Sequence, residues 1–359
     1  MDADLKEALK GVASDVGRIL SNDGFPSTIY PECLCDAVRS YPMRGGKRVR
    51  PALLLWACGA LGGDPAMALN AAAAVEVYHS WTLVHDDIID EDDVRRGLPT
   101  THRELCKYAE SAYDLNPVQN EKFGRDMAIL AGDIQQAWAV DLLMRTAEKG
   151  CPPELVMTLV RRMQNIVNRE LISGEALDIE LPMRDWTRVT KKDVLRVIEG
   201  KTACLLKYCV QTGGAIALRT ADMEEPALKA LGNYADALGI AFQLRDDYLG
   251  VFGELETFGK PLCSDFQESK PTLLFMEAME TLSPAGQKEL LGMRALPEYD
   301  EEVVSRIRIL LAESGAVDRI LAEINRYTAQ AIESLQVLPA NQYRSLLLSL
   351  SNYLLERSV

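Results

Sequence analysis

No apolar run in this 359-residue chain is long enough to cross a bilayer, since the best candidates are broken at Gly62, Gly63 and Asp64. Positive charge is in the minority, with 39 Lys and Arg against 53 Asp and Glu and a net charge of -14. That balance argues against nucleic acid, whose phosphates reward clustered cations, and against docking on anionic lipid. The eight cysteines lack zinc-type spacing, and the close pairs Cys33/Cys35 and Cys204/Cys209 are not C-x-x-C. They read as buried thiols in a reducing compartment. The opening MDADLKEALK has neither the basic region nor the apolar core of a signal peptide, so a soluble cytoplasmic protein is expected. Alternating strands, sandwich-like turn spacing and repeats of roughly 20–50 residues are also missing.

What remains is helical periodicity. Leu5, Leu9, Val12, Val16 and Ile19 step along residues 2–20, and Asn22–Pro31 is a loop. A helix resumes near Cys33 and stops before MRGGKRVRP; Pro51 suits the first turn of the next, and Asp64-Pro65 opens another. Residues 108–123 read as an exposed loop, and Glu154–Leu181 as one long helix. Gly200-Lys201-Thr202 is not a phosphate-binding P-loop, because position 195 is Leu and no strand precedes it. It reads as a helix carrying one Lys and one Thr on a face. A helix through Tyr234–Phe252 follows, then helices with breaks near Pro284 and Pro297. The fold class expected is all-α, one large bundle spanning 1–359 without a clear linker.

The segment Val75–His102 carries the strongest chemical signal. Asp86, Asp87, Asp90, Glu91, Asp92 and Asp93 lie within eight positions, and the helix is expected to end near Pro99. Asp86 and Asp90 are four apart, one turn of the same helical face. Charge runs more often mean a solvated helix end. Here Arg95, Arg96 and all three histidines (His79, His85, His102) share the segment, which favours an ion site. Mg2+ suits it, because this hard cation takes one or two carboxylates and completes its shell with water and phosphate oxygens. A second acidic pair, Asp246 and Asp247, follows Gln243 by three and four residues, and Glu175 and Asp178 are three apart. Cations stand at Lys47, Arg50, Arg95, Arg96, Lys201, Lys260 and Lys270. Taken alone, Lys47-Arg48-Val49-Arg50 is an ordinary basic turn. Together with the carboxylates, these cations suit a site binding both a metal and a polyanion. Unit charges 4 Å apart interact by roughly 4 kcal/mol at an effective dielectric near 20, enough to help a diphosphate depart.

Five pieces in order, GGKRVRP, HDDIIDEDDVRRG, GKT, FQLRDDYLG and the later GK and SK, make the chain resemble the trans-isoprenyl diphosphate synthases (polyprenyl synthetases) over roughly residues 34–275. Residues 276–359 supply C-terminal helices. The resemblance implies an all-α bundle around a deep central cavity, usually a homodimer. It implies Mg2+-dependent head-to-tail condensation of isopentenyl diphosphate with an allylic diphosphate. By the same resemblance Asp86, Asp90 and Asp246 hold the metals, three Mg2+ per active site, with Asp87, Asp247 and Asp178 in support. Lys47, Arg50, His79 and Arg96 match the isopentenyl diphosphate site. Arg95, Lys201, Gln243 and Lys260 match contacts to the allylic diphosphate, joined by Lys270, and Thr202 and Gln243 lie near the forming carbocation. Asp86, Asp90, Asp246, Lys201 and Arg95 form the catalytic set. No protein nucleophile is needed.

The chain departs from the family pattern at Gly250, where the second motif usually has a third aspartate, at Glu175, commonly Gln, and at Pro271. Trp81, with Thr82 beside it, stands five residues before Asp86, about 7.5 Å along a helix. In the family a bulky residue there limits chain growth, which leans the product towards geranylgeranyl diphosphate (C20), with farnesyl diphosphate (C15) the alternative. Plain core packing is the competing account of Trp81. Other readings are a class I terpene cyclase, which has no use for GGKRVRP, a non-catalytic synthase subunit, which would usually lose an aspartate motif, and a metal buffer, which would not need the cations.

Overall fold

The computed structural model describes residues 3–253, 262–294, 296 and 298–355. The described chain is built of helices, and its only ladder among those residues is a two-residue antiparallel pair. It divides into two compact units, Met1–Arg161 with Thr212–Met223, and Arg162–Gln211 with Glu224–Val359.

The first unit contains α1 (Ala3–Ser21), α2 (Glu32–Met43), α3 (Val49–Ala60), α4 (Leu69–Ile89), α5 (Thr101–Ala112), α6 (Pro117–Met144) and α7 (Pro153–Arg161). In α1 the expected stripe is present, with Leu20 fully buried at its end where Ile19 was expected. By contrast α4 is buried almost all round from Asn70 to Trp81, so it is the central helix and not an amphipathic one. The run Ala71–Ala74 makes this possible, because small side chains let neighbouring backbones come close. α6 lies along both α4 and α5. A Cβ on Gly124 would stand 2.4 Å from His102 O, and one on Gly213 would stand 1.9 Å from Leu54 O in α3.

The acidic helix ends earlier than expected. α4 stops at Ile89, not near Pro99, and Asp90 is its C-cap. Val94–Arg95 then pairs with Leu98–Pro99, closed by Arg96 (φ 55°) and Gly97 (φ 77°). Two successive positive φ values suit a tight hairpin, so the turn chemistry overrides the helical pattern. The loop expected over 108–123 is also shorter: α5 runs to Ala112 and α6 begins at Pro117. Asn116 and Gln119 form a reciprocal capping box with Pro117 at the first helical position, a signal legible in the sequence.

The second unit opens with a π turn, Arg162–Val167, where an unbroken helix was expected, and continues as α8 (Asn168–Glu180). Then come α9 (Lys191–Val197), a second π turn over Ile198–Ala203, α10 (Cys204–Leu218), which runs on into the Thr212–Met223 segment, and α11 (Pro226–Phe252). Gly200-Lys201-Thr202 therefore sits on a π turn and not on a regular helix. Helix Ala316–Ser334 packs along α11, and Trp186, Phe266 and Phe275 form an aromatic knot with the two Phe centroids 4.5 Å apart. No described helix is long and apolar enough to cross a membrane.

Candidate active site

In the first unit the basic segment is shaped by backbone signs before side chains. After α2 the chain turns through Gly45 (φ 81°), Gly46 (φ 138°) and Arg48 (φ 50°). Arg48 points inward, bonding to Glu76 and donating to Pro42 O at 2.5 Å, and both partners of the ion pair are buried. Lys47 stays exposed. Arg50, two residues on, meets His79: Nη1 is 3.0 Å from Nε2. Arg96 donates to Gly45 O at 2.8 Å, and its Nη1 lies 2.6 Å from where a Cβ on Gly46 would be. A side chain at 46 would thus displace the guanidinium as well as strain the backbone. Burial first, then Arg50, Arg96, Arg95 and Arg48, hold the His79 imidazole well below its ordinary pKa. The Thr82 hydroxyl donates to His79 O at 2.8 Å and lies 3.4 Å from His79 Nδ1.

The first aspartate cluster is organised by Arg95. Its Nη2 lies 3.3 Å from Asp86 Oδ2 and 3.5 Å from Asp92 Oδ2, and its Nε donates to Asp87 Oδ1 at 2.5 Å. The Tyr41 hydroxyl donates to the other Asp87 oxygen. Asp87 is fully buried; desolvation raises its pKa, against the opposing pull of Arg95 and Tyr41. Its two oxygens bridge Arg95 and Tyr41. Asp86 is partly open and Asp90 exposed, with the Asp90 N–H donating to Asp86 O at 2.8 Å. Trp81 is buried in the same helix, edge to face with Tyr78.

In the second unit a glycine contact builds the site. A Cβ on Gly174 would lie 2.6 Å from Lys201 N, and one on Gly200 would lie 2.7 Å from Glu170 O. This close crossing of α8 and the π turn brings Lys201 Nζ to 2.8 Å from Asp178 Oδ2 and 3.0 Å from Glu175 Oε2. Thr202 Oγ1 donates to Gln243 Oε1 at 3.1 Å, and Gln243 Nε2 donates to Asp247 Oδ1 at 2.9 Å. Asp247 is buried; burial first, then Asp265, Asp246 and Asp178, push its pKa well above the ordinary value against the Gln243 bond. Asp246, its neighbour, is partly open. Gly250 is buried and its carbonyl accepts from Cys263 N at 2.8 Å. Lys270 pairs with Glu268 at 2.9 Å. Lys260 lies outside the described residues.

The sequence reading missed Tyr41, Glu76 and the inward turn of Arg48. Arg48 was visible as a cation, but nothing local distinguishes it from Arg50; Tyr41 carries no sequence signal. Among the described residues no group of three or more His, Cys, Asp or Glu is close enough to cage an ion by itself.

Carboxylates are set against cations in both units of this all-α protein, Asp86 on Arg95 in the first and Asp178 on Lys201 in the second. The chain belongs to the polyprenyl synthetase family, whose model matches residues 31–308. A short chain isoprenyl diphosphate synthase of Methanothermobacter thermautotrophicus is 33% identical over 92% of each chain. The solved geranylgeranyl pyrophosphate synthetase of Pyrococcus horikoshii superposes with a TM-score of 0.84 at 30% identity, covering 98% of this chain and 99% of that one. The geranylgeranyl pyrophosphate synthase of Corynebacterium glutamicum, solved with isoprenyl diphosphate and magnesium, gives 0.82 at 28% identity over the whole of both chains.

Proposed function

We propose that this chain is a Mg2+-dependent prenyltransferase that condenses isopentenyl diphosphate with allylic diphosphates head to tail, with geranylgeranyl diphosphate as the main product. The observation that carries the reading is the pairing of Arg95 with Asp86 and Asp87, which puts an anion-binding cation and two motif carboxylates in one cluster. Arg50, Arg96 and exposed Lys47 clamp the diphosphate of isopentenyl diphosphate, and uncharged His79 gives them a hydrogen-bonding neighbour without adding repulsion. Arg95 and Lys201 take the allylic diphosphate, each released from its carboxylates as the anion arrives.

Asp86, Asp90 and Asp246 would hold Mg2+, because their side chains offer only carboxylate oxygens and would leave most of the shell to water and phosphate. When bound, three such ions per site supply Lewis-acid stabilisation of charge on the departing diphosphate. The allylic C–O bond breaks, the alkene of isopentenyl diphosphate attacks the cation, and the proton lost goes to the released diphosphate. Thr202 and Gln243, tied together at 3.1 Å, would lie near the forming cation, which has to be kept from water that would quench it. Trp81 limits the growing chain. We further propose a cytoplasmic homodimer.

The test is a product assay with Mg2+, isopentenyl diphosphate and C5, C10 and C15 starters in separate reactions, the dephosphorylated products identified by mass. Linear C20 alcohol from all three is expected. A C15 end point would keep the reaction and move the floor, and no elongation at all would refute the proposal.

A further inference from the structure

Three rings run along one side of α4. Tyr78 and Trp81 meet at 5.0 Å between centroids with planes 70° apart, and Trp81 and His85 at 5.9 Å and 71°. A buried indole N–H ordinarily finds a hydrogen-bond acceptor. Trp81 Nε1 is buried and has none among the described residues. Ring packing, not polar contact, therefore orients the indole. Of the two rings that bracket it, Tyr78 is fully buried, while the His85 side chain is 27% exposed. His85 is the more open of the two.

α6 supplies what holds His85. Its Nε2 lies 3.2 Å from Ile129 O, donating in the Nε2-protonated tautomer, and 3.9 Å from Asp133 Oδ1. Between these two residues stands Gly132, where a Cβ would fall 2.3 Å from His85 Nε2 and 2.6 Å from Cδ2. Gly132 lies inside a regular helix, where glycine costs stability relative to alanine. Its backbone does not require glycine; the imidazole does.

We propose that His85, seated in the gap at Gly132, is a positioning residue for Trp81 and so a determinant of product length. The inference rests on the synthase reading with Trp81 as the floor. The ring is not a catalytic group: it acts by fixing the angle at which the indole blocks the growing chain. Without it, Trp81 can turn about its side-chain bonds and admit a further isoprene unit.

The experiment compares Trp81→Ala, His85→Ala, Gly132→Ala and the His85→Ala/Gly132→Ala double variant, reading the ratio of C25 to C20 product under excess isopentenyl diphosphate. A general loss of folded enzyme lowers both products together, so it leaves the ratio unmoved. His85→Ala is expected to raise the ratio about two- to tenfold, the factor that loss of one edge-to-face pair corresponds to. Gly132→Ala should change it by a comparable factor by dislodging the imidazole, and should have no further effect once His85 is already alanine. If Trp81→Ala lengthens the product while His85→Ala and Gly132→Ala leave the ratio alone, the positioning role is wrong and the floor stands. Additive effects in the double variant overturn the shared mechanism. If Trp81→Ala itself changes nothing, the floor fails and the inference with it.

Discussion

Arg48 and Glu76 form an ion pair with side chains only 4% and 7% exposed, and that pair anchors the basic turn. Arg48 holds a left-handed backbone (φ 50°), a strain of about 1–3 kcal/mol that persists only where surroundings enforce it. Here the enforcement is the guanidinium, spread over Glu76 and Pro42 O. Glu76→Gln keeps an oxygen that can accept one hydrogen bond but deletes the charge, leaving a buried cation uncompensated. That should cost about 3–5 kcal/mol, a large part of the roughly 5–15 kcal/mol that keeps a domain folded. Arg48→Met with Glu76→Leu removes both charges and fills similar volume, and with the guanidinium gone the backbone at 48 is free to relax from its left-handed conformation. The double variant should therefore lose much less than the single one. Urea unfolding followed by far-ultraviolet circular dichroism measures both, with the midpoint falling at an unchanged slope. Equal losses in the single and double variants would refute the argument, since an uncompensated charge would then not be the source of the cost. Because Lys47 and Arg50 flank Arg48, the KM for isopentenyl diphosphate should also rise in Glu76→Gln.

Gly213→Ala drives a Cβ to 1.9 Å from Leu54 O, a backbone atom of α3 that cannot swing aside. It should cost about 3 kcal/mol, the upper end for overpacking, seen as a Tm lowered by roughly 6–12 °C; an unchanged Tm would mean the helices separate freely. Burial and the surrounding arginines hold the His79 imidazole well below its ordinary pKa of 6.5 in the folded state, so the unfolded chain binds a proton first and stability falls as pH drops below about 6.5. His79→Gln should flatten the Tm against pH profile from pH 6.5 downwards, by at most about 1.4 kcal/mol per pH unit, and parallel profiles would contradict the assignment. Asp86→Asn and Asp87→Asn should separate two roles. The first should lower turnover by about 10²–10³-fold with little change in Tm, as when one group stabilising developing charge is removed. The second should lower Tm as well, because Asp87 is buried between Arg95 and Tyr41. Equal Tm values for the two would remove the distinction.

Helical class was legible because it depends on spacing along one element, as in Leu5, Leu9, Val12 and Val16 of α1. Element ends were less legible. The acidic run after Ile89 is compatible with a helix until the positive φ values at Arg96 and Gly97 are known, whereas Asn116-Pro117-x-Gln119 is a local signal that marks the start of α6. The site divides the same way. Asp86 and Asp90 share a turn of one helix and declare themselves, whereas Arg48 and Arg50 are told apart only by Glu76 and His79, far off in sequence. One class of residue carries this missing information in part. Gly124 and Gly132 fall eight apart in α6, in phase with buried Ala128, Ala131 and Gln135. Each is filled by a neighbour, His102 O or the His85 ring. Gly11 and Gly17, on the open side of α1, meet nothing within 4 Å. Glycine inside a helix is costly, so one in phase with the buried face marks a close approach that its chain neighbours do not explain. The sequence thus shows where two elements cross, and at Gly174, Gly200 and Gly132 those crossings set Lys201 and His85 in place; the identity of the facing residue comes only from the fold.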